Sequence, residues 1–334
     1  MELRKDPITM SWVIIEGPEE HGIRPDDCPL CPGNDSGLQS IYSSPYNHPN
    51  WQVRVVPHLH PVYRIEGDAM RCGEGLYDKM RNLGAHEIVV ETPDHALPLS
   101  QQPPEKIAQV LQAYVSRIAD LKKDRRFRYI TVFRNQGQSA GQDLSHPHSE
   151  ITATPFIPRR IGYELRSAQR YFDLKERCLI CDIVKQEISQ QVRTVDSTDQ
   201  FVALCPFASR VPYETWVLPA YHHCHFEEDL TSPESQLRFA RFLKTILQRL
   251  ESVTPAYHLV LHSSPNTNAK FEQAGSWKTL SDDYHWHFEI LPVIASKSKS
   301  YSLKEVYYNS LPPEDAAAEL RSIAIPAAKI SGAG

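Results

Sequence analysis

Two stretches of the chain repeat apolar residues at helical spacing. In PPEKIAQVLQAYVSRIADLKKD, residues 103–124, Ile107, Val110, Leu111, Tyr114, Val115, Ile118 and Leu121 form one stripe. In SPESQLRFARFLKTILQRLES, residues 232–252, the stripe is Leu237, Phe239, Phe242, Leu243, Ile246, Leu247 and Leu250. Pro or Ser stands at both starts, where a helix tolerates it. Between and around them lie short runs rich in β-branched and aromatic residues: HEIVVETP, YITVFRN, ETWVLP and YHLVLHS. These are predicted strands. Twenty-six prolines against fourteen glycines predict many short strands, rigid turns and few long helices.

The order of these elements is written twice. The first half runs CPLC (28–31), HEIVVETPDH (86–95), the first helix, RYITVFRNQG (128–137) and HPHSEI (146–151). The second runs CLIC (178–181), YETWVLPAYH (213–222), the second helix, YHLVLHSSP (257–265) and HWHFEI (285–290). This predicts an α+β chain of two tandem modules, residues 1–160 and 161–334. Each is expected to be an antiparallel sheet with packed helices, and the basic, polar RRIGYELRSAQRYFDLKER is expected to be a helical connector.

Composition narrows the class. The chain has 334 residues, 41% hydrophobic and 23% charged, which is ordinary for a globular protein with one large or two medium domains. A net charge of −5 supplies no basic field for nucleic acid. No apolar run approaches the ~20 residues that cross a bilayer. The opening MELRKDPITMSWVII lacks the apolar segment of a signal peptide, so a cytoplasmic location is expected. Four of the seven cysteines form two C-x-x-C pairs, a spacing that in a reducing compartment means metal or redox chemistry. Cys72, Cys205 and Cys224 are expected to be packing or surface residues.

The repeat proposes ligand sets. Each half offers a C-x-x-C, a histidine ending a strand and the first histidine of H-x-H. The first set is Cys28, Cys31, His95 and His146; the second is Cys178, Cys181, His222 and His285. Cys₂His₂ is a closed tetrahedral set of the structural kind. The bland alternative is ordinary buried thiols, and in the second half His223, His225 and His287 compete for a place.

In SHPHSEITATP the small and polar lead passes into β-formers, so the segment is predicted as a strand. Alternate residues share a face, which lines up His146, His148 and Glu150 against Pro147 and Ser149. A metal on His146 would pin the backbone and present His148, whose neutral imidazole is a nucleophile. Upstream, FRNQGQSAGQD (133–143) carries Gly137 and Gly141, which lets backbone N–H groups approach an anion. Together these suggest attack on phosphorus, against the alternative of two structural histidines. The second copy has no glycine-rich lead and fills its alternate positions with Trp286 and Phe288. It is expected to hold structure, with His285 on metal and His287 a second ligand or a core residue.

CPLCPGN, TPDHALPL, FRNQG with HPHSE, the opening RKDPITMSWVII and the late PPEDAAAELR together resemble the galactose-1-phosphate uridylyltransferase family. This is a branch of the histidine-triad superfamily whose members include ADP-glucose phosphorylase. The resemblance implies two fused histidine-triad-like modules in a homodimer and a structural zinc, with a second zinc or iron. It implies nucleoside monophosphate transfer between a nucleotide sugar and a sugar 1-phosphate or phosphate. His148 would be the nucleophile, with Glu150 beside it as a catalytic residue. Asn135 would contact the phosphates or ribose, and Arg54, His58, Gly141 and Asp143 would complete the nucleotide site. Three residues depart from the family. Glu150 stands where relatives carry Gln, Asp143 where they often carry Ser, and His58 where they carry Asn. An ionised Glu150 has no proton to donate and would repel phosphate. The C-terminal SYSLKEVYYNSLPPE lacks the glycines and the Glu that relatives use near the hexose. Besides transfer between sugar phosphates, the sequence therefore admits a nucleotide phosphorylase or hydrolase, of ADP-glucose or dinucleoside polyphosphates, and a silent nucleotide-binding protein.

Overall fold

A computed structural model describes residues 1–16, 28–34, 37–269, 277–294 and 306–325. The first half contains strands β1 (Glu2–Lys5), β2 (Trp12–Ile15), β3 (Tyr42–Ser44), β4 (Val53–Pro57), β5 (Cys72–Glu74), β6 (Tyr77–Arg81) and β7 (Ala85–Val90). Helix α1 (Pro104–Leu121), β8 (Tyr129–Gln136) and β9 (His148–Thr154) follow. The expected connector is helix α2 (Arg159–Lys175), succeeded by α3 (Leu179–Gln190). The second half adds β10 (Thr194–Ser197), β11 (Phe201–Leu204), β12 (Thr215–Pro219), α4 (Phe226–Asp229), α5 (Pro233–Glu251), β13 (Tyr257–His262), α6 (Leu280–Asp283), β14 (His287–Pro292) and α7 (Pro313–Ser322).

Both long helices begin where the sequence places them. Pro104 and Pro233 occupy first-turn positions, where no backbone N–H is needed. Ser232 caps α5 by accepting from the Ser235 N–H at 3.0 Å. The predicted apolar stripes are the buried faces of the two helices, except that Leu237 near the start of α5 is only half-buried. They pack against each other over the sheet.

Ten strands form one antiparallel sheet in the order β10-β11-β12-β14-β13-β8-β9-β7-β4-β3. Outward from the β8–β13 seam, the first half reads β8, β9, β7, β4, β3 and the second β13, β14, β12, β11, β10. The two sequence repeats are thus two five-stranded halves joined edge to edge. The seam pairs Tyr257 with Gln136 through Leu261 with Val132. A separate small sheet, β2-β1-β6-β5, flanks the first half. No helix among the described residues is long and apolar enough to cross a membrane.

One hydrophobic core spans both halves. It runs from Val53, Ile107, Leu111 and Ile151 to Phe201, Phe239, Leu243 and Trp286. On the opposite face of the sheet lie two smaller clusters: Leu30, Trp51, Val56, Ile88, Val90 and Leu144 in the first half, and Val184, Val202, Leu204 and Leu218 under α3 in the second. That face carries the chemistry.

A shared core predicts cooperative unfolding. Phe239 is fully buried and packs on Phe201, Trp286 and Phe288. Phe239→Ala is expected to cost about 3–5 kcal/mol in denaturant unfolding while preserving a single transition. A second, independent transition would contradict the shared core.

Candidate active site and metal centres

Each C-x-x-C meets the two histidines expected of it. Cys31 Sγ lies 3.2 Å from His95 Nδ1 and 3.5 Å from His146 Nδ1, and Cys28 Sγ lies 3.8 Å from His146 Nδ1. In the second half Cys181 Sγ lies 3.4 Å from His222 Nδ1 and 3.5 Å from His285 Nδ1. In each set the four donor atoms lie within 4.8 Å of one another. Zinc bonds of about 2.3 Å to sulfur and about 2.1 Å to nitrogen give tetrahedral edges of about 3.5 Å, so both sets fit such an ion. The far ring nitrogens agree. His146 Nε2 lies 2.7 Å from Thr92 O, His95 Nε2 2.9 Å from Ser145 Oγ, His222 Nε2 2.8 Å from Ser281 O and His285 Nε2 3.1 Å from Pro219 O. Donating there leaves every Nδ1 lone pair for a metal. Burial also holds His146 below the ordinary imidazole value, keeping it neutral. Leu30, between the first two cysteines, is fully buried and anchors their turn in the adjoining cluster.

His148 is the first residue of β9, and His146 lies two residues before it, across Pro147. The His148 Nδ1–H donates to the His146 carbonyl at 2.7 Å, which turns Nε2 toward Asp143 Oδ1 at 3.5 Å. Burial pushes this imidazole down, but Asp143, the His146 carbonyl and Glu150 outweigh it and its pKa is raised. The same contact pulls the Asp143 carboxyl down to about 2. Behind the strand, buried Arg134 donates to the His148 carbonyl at 3.0 Å and pairs with buried Glu91 at 3.3 Å. Ser149 points to that side, bonded to Glu91 and to Tyr114. His148 and Glu150 therefore share the face opposite the helices, both buried there, and Ser149 faces the helices, as the alternation predicts.

Glu150 is the center of a second arrangement. His86 Nε2 lies 2.7 Å from its Oε2, and His58 Nε2 lies 3.7 Å from the same oxygen. The two imidazoles stack with centroids 3.9 Å apart and planes 7° from parallel. Backbone amides fix their tautomers: His60 N–H donates to His58 Nδ1 at 3.1 Å, and Val62 N–H to His86 Nδ1 at 3.3 Å. A ring nitrogen that accepts carries no proton, so both rings present Nε2–H to Glu150. Burial and the neighbouring His86 push His58 down to about 4, which keeps it neutral. Asp143, His148 and Glu150 bring their polar atoms within 4.8 Å of one another.

The remaining nucleotide-site residues divide. Asn135 lies on β8 with its Oδ1 2.9 Å from His258 Nδ1 across the seam. Gly137 and Gly141 have φ of +83° and +77°, the left-handed region that glycine allows, and flank the turn leading to Asp143. A Cβ on Gly137 would also press on Ala256 at 3.1 Å. Arg54 is buried on β4 with its guanidinium 4.8 Å over the Trp51 ring.

The second copy has diverged. His287 Nδ1 faces the His285 carbonyl at 3.2 Å, repeating the His148 geometry. Its ring stands among Glu164, His262 and Glu289 and takes no place with Cys178 and Cys181. Glu289, the counterpart of Glu150, pairs with Arg210 at 2.7 Å and Arg160 at 3.0 Å. His223 and His225 are also outside the cysteine set: His223 accepts from the His225 N–H, and His225 bonds Ser264. His86, Arg134, Glu91 and Glu164 are site residues that the sequence did not single out. For His86 one signal was available. Its alternation with Ile88 and Val90 puts it on one face of a strand, but which strand it meets depends on pairing.

Two expectations are testable here. Metal analysis of the purified chain should give about two zinc ions, with Cys31→Ala and Cys181→Ala each removing about one. Glu289 is pushed up by burial, but His262, Arg210, His287 and Arg160 outweigh it and pull its carboxyl from 4.5 to about 2. A depressed carboxyl contributes stability above its unfolded value that is lost as pH falls through the folded one. Wild-type stability should therefore decline between about pH 4.5 and about 2, and Glu289→Gln should flatten that window in acid denaturation.

A family signature described as "Galactose-1-phosphate uridyl transferase, N-terminal domain" matches residues 11–158. Along nearly its whole length the chain is similar to the ADP-glucose phosphorylase of Arabidopsis thaliana, with 29% identity over 97% of this chain and 93% of that one. It is similar to the same degree to the galactose-1-phosphate uridylyltransferase of Thermotoga maritima, with 29% identity over 96% and 98%. Among solved structures, the Arabidopsis ADP-glucose phosphorylase with bound ADP-glucose superposes with a TM-score of 0.77 at 28% identity, covering 97% of this chain and 100% of that one. A uridylyltransferase superposes with a TM-score of 0.80 at 27% identity, covering 96% and 97%. The first half of the chain thus carries the N-terminal domain signature of the galactose-1-phosphate uridylyltransferase family, and nearly the whole chain is similar in sequence and fold to that family's members.

Proposed function

We propose that the chain is a nucleotidyltransferase that takes a nucleoside monophosphate from a nucleotide sugar onto His148 Nε2. The observation that carries this reading is the tie between His148 Nδ1 and the His146 carbonyl. It commits one proton to Nδ1, so the neutral ring carries its lone pair on Nε2 for attack on the α-phosphorus once the proton that the Asp143 contact favours there has been given up. The P–N bond forms as the bond to the leaving phosphate oxygen breaks, and a sugar 1-phosphate departs. His146 takes its own position from the Cys28, Cys31 and His95 set, so a zinc ion there would fix the carbonyl that orients the nucleophile. Zinc in this role supplies rigidity and touches no substrate. Asn135, near the seam, and the turn between Gly137 and Asp143 supply the groups for the ribose and phosphates. Residues 1–160 act as the catalytic module and residues 161–334 as the supporting one, with the second metal set holding α3 to the sheet.

The test is covalent capture. Incubation with UDP-glucose or ADP-glucose, followed by mass spectrometry at neutral or alkaline pH, should locate a nucleotidyl group on His148. His148→Ala should lose at least about 10³-fold in turnover while retaining its metal content. Turnover by His148→Ala near the wild-type rate would overturn the reading.

A further inference from the structure

We propose that the acceptor in the second half of the reaction is a neutral hydroxyl, water or an alcohol, and that Glu150 is its general base. This rests on the His148 reading above. It concerns what discharges the intermediate, which the names of the relatives would assign to a phosphate-bearing acceptor.

Charge is the first argument. Asp143 and Glu150 both stand within 4.8 Å of His148, where the phosphoryl group would be held. In the His148 adduct the α-phosphate keeps one negative charge beside these carboxylates; a phosphate acceptor would bring one or two more, as the departing sugar 1-phosphate does in the first half-reaction. Like charges about 4 Å apart repel by about 4 kcal/mol at an effective dielectric of 20. A neutral acceptor avoids that term. Proton demand is the second argument. A phosphate dianion attacks without losing a proton, whereas water or an alcohol must give one up, and a positioned base contributes about 10²–10⁴-fold.

The geometry around Glu150 suits a base. His86 donates Nε2–H to Oε2 at 2.7 Å, and the backbone amide of Val62 keeps that ring in the donating tautomer. His58 is stacked on it in the same tautomer. A carboxylate oxygen fixed by an N–H donor leaves the other oxygen to take a proton. The tautomers also argue against a cation held by His58, His86 and Glu150, because an Nε2 that carries hydrogen offers no lone pair. The step balances. The acceptor oxygen forms a bond to phosphorus, the P–N bond breaks with its electron pair returning to Nε2, and the acceptor proton passes to Glu150. With water the product is the free nucleoside monophosphate. The sheet's other half shows the contrast: Glu289 is paired with Arg160 and Arg210, while the contacts of Glu150 are with the imidazoles of His86 and His58.

The experiment uses UDP-glucose and ADP-glucose in ¹⁸O-water, alone or with glycerol, inorganic phosphate or glucose 1-phosphate. Wild type is expected to release UMP or AMP bearing one ¹⁸O, or a glycerol ester of either where the alcohol competes. Glu150→Gln, which keeps the shape and removes the base, should slow that release by about 10²–10⁴-fold and accumulate the His148 adduct. His86→Gln, which keeps an N–H donor, should preserve release better than His86→Phe at similar KM. The proposal is overturned if nucleotide leaves only onto phosphate or glucose 1-phosphate. It is equally overturned if Glu150→Gln discharges its adduct to water at the wild-type rate. Turnover in His148→Ala would instead strike the covalent reading, and silence of wild type toward both nucleotide sugars would sink both.

Discussion

The site depends on a step of two residues. His146 gives one end of its ring to a cysteine pair and the other to the Thr92 carbonyl, and its own carbonyl accepts the His148 Nδ1–H. These contacts fix a backbone, a tautomer and a direction at once. Imidazole is useful as a nucleophile only when the lone pair lies on the nitrogen that faces the substrate, and nothing in a free histidine decides which nitrogen that is. Here a peptide oxygen decides, and the cysteine–histidine set keeps that oxygen still. Arg134 adds a tie from behind by donating to the carbonyl of His148 itself. The proposed nucleophile is thus held by main-chain geometry, which a side-chain substitution elsewhere does not readily disturb.

The same frame recurs in the second half, so the divergence can be read residue against residue. His285 and His287 repeat the carbonyl-to-Nδ1 step, and Cys178, Cys181 and His222 repeat the metal set. What changed is the space in front. There α2 delivers Glu164 to His262 at 2.9 Å, and Arg160 and Arg210 close on Glu289. Protein side chains supply the charges that a substrate would bring to the first half. Burial and His262 push His287 down to about 4, consistent with a ring retained as a neutral core group.

Much of this was legible in the sequence because it is periodic or repeated. Helical stripes at 103–124 and 232–252 mark α1 and α5 because burying one face forces a 3.6-residue period. The metal sets were legible because a duplicated C-x-x-C with matching histidines leaves few ways to arrange four ligands. The alternation of His148, Ser149 and Glu150 follows from the strand's two-residue period. What escaped depends on pairing between distant strands. His86 reaches Glu150 only because β7 pairs β9 with Ile88 opposite Glu150, and no local pattern encodes that register. The joining of two five-stranded halves through β8 and β13 was hidden for the same reason: each edge strand pairs equally well with any antiparallel neighbour of suitable length. Competition among His222, His223 and His225 likewise yields only to geometry, since adjacent residues point in different directions at the end of a strand.

Glu150 shows how one atom's replacement would alter the proposed phosphoryl site. A glutamine there offers an N–H to a phosphate oxygen; a glutamate offers only acceptors. A protein that merely tolerated this change would be expected to neutralise the carboxylate with a cation, as the second half does at Glu289. Glu150 is instead given one N–H donor at hydrogen-bond distance, His86, with His58 stacked on that ring, the tautomers of both fixed by the backbone amides of Val62 and His60. Such a donor orients a carboxylate and leaves its charge in place. Retained charge beside a phosphoryl group penalises anionic acceptors and supplies a destination for a proton. Both consequences favour an acceptor that arrives neutral and must be deprotonated, so the departure from glutamine and the arrangement of histidines around it point to the same chemistry.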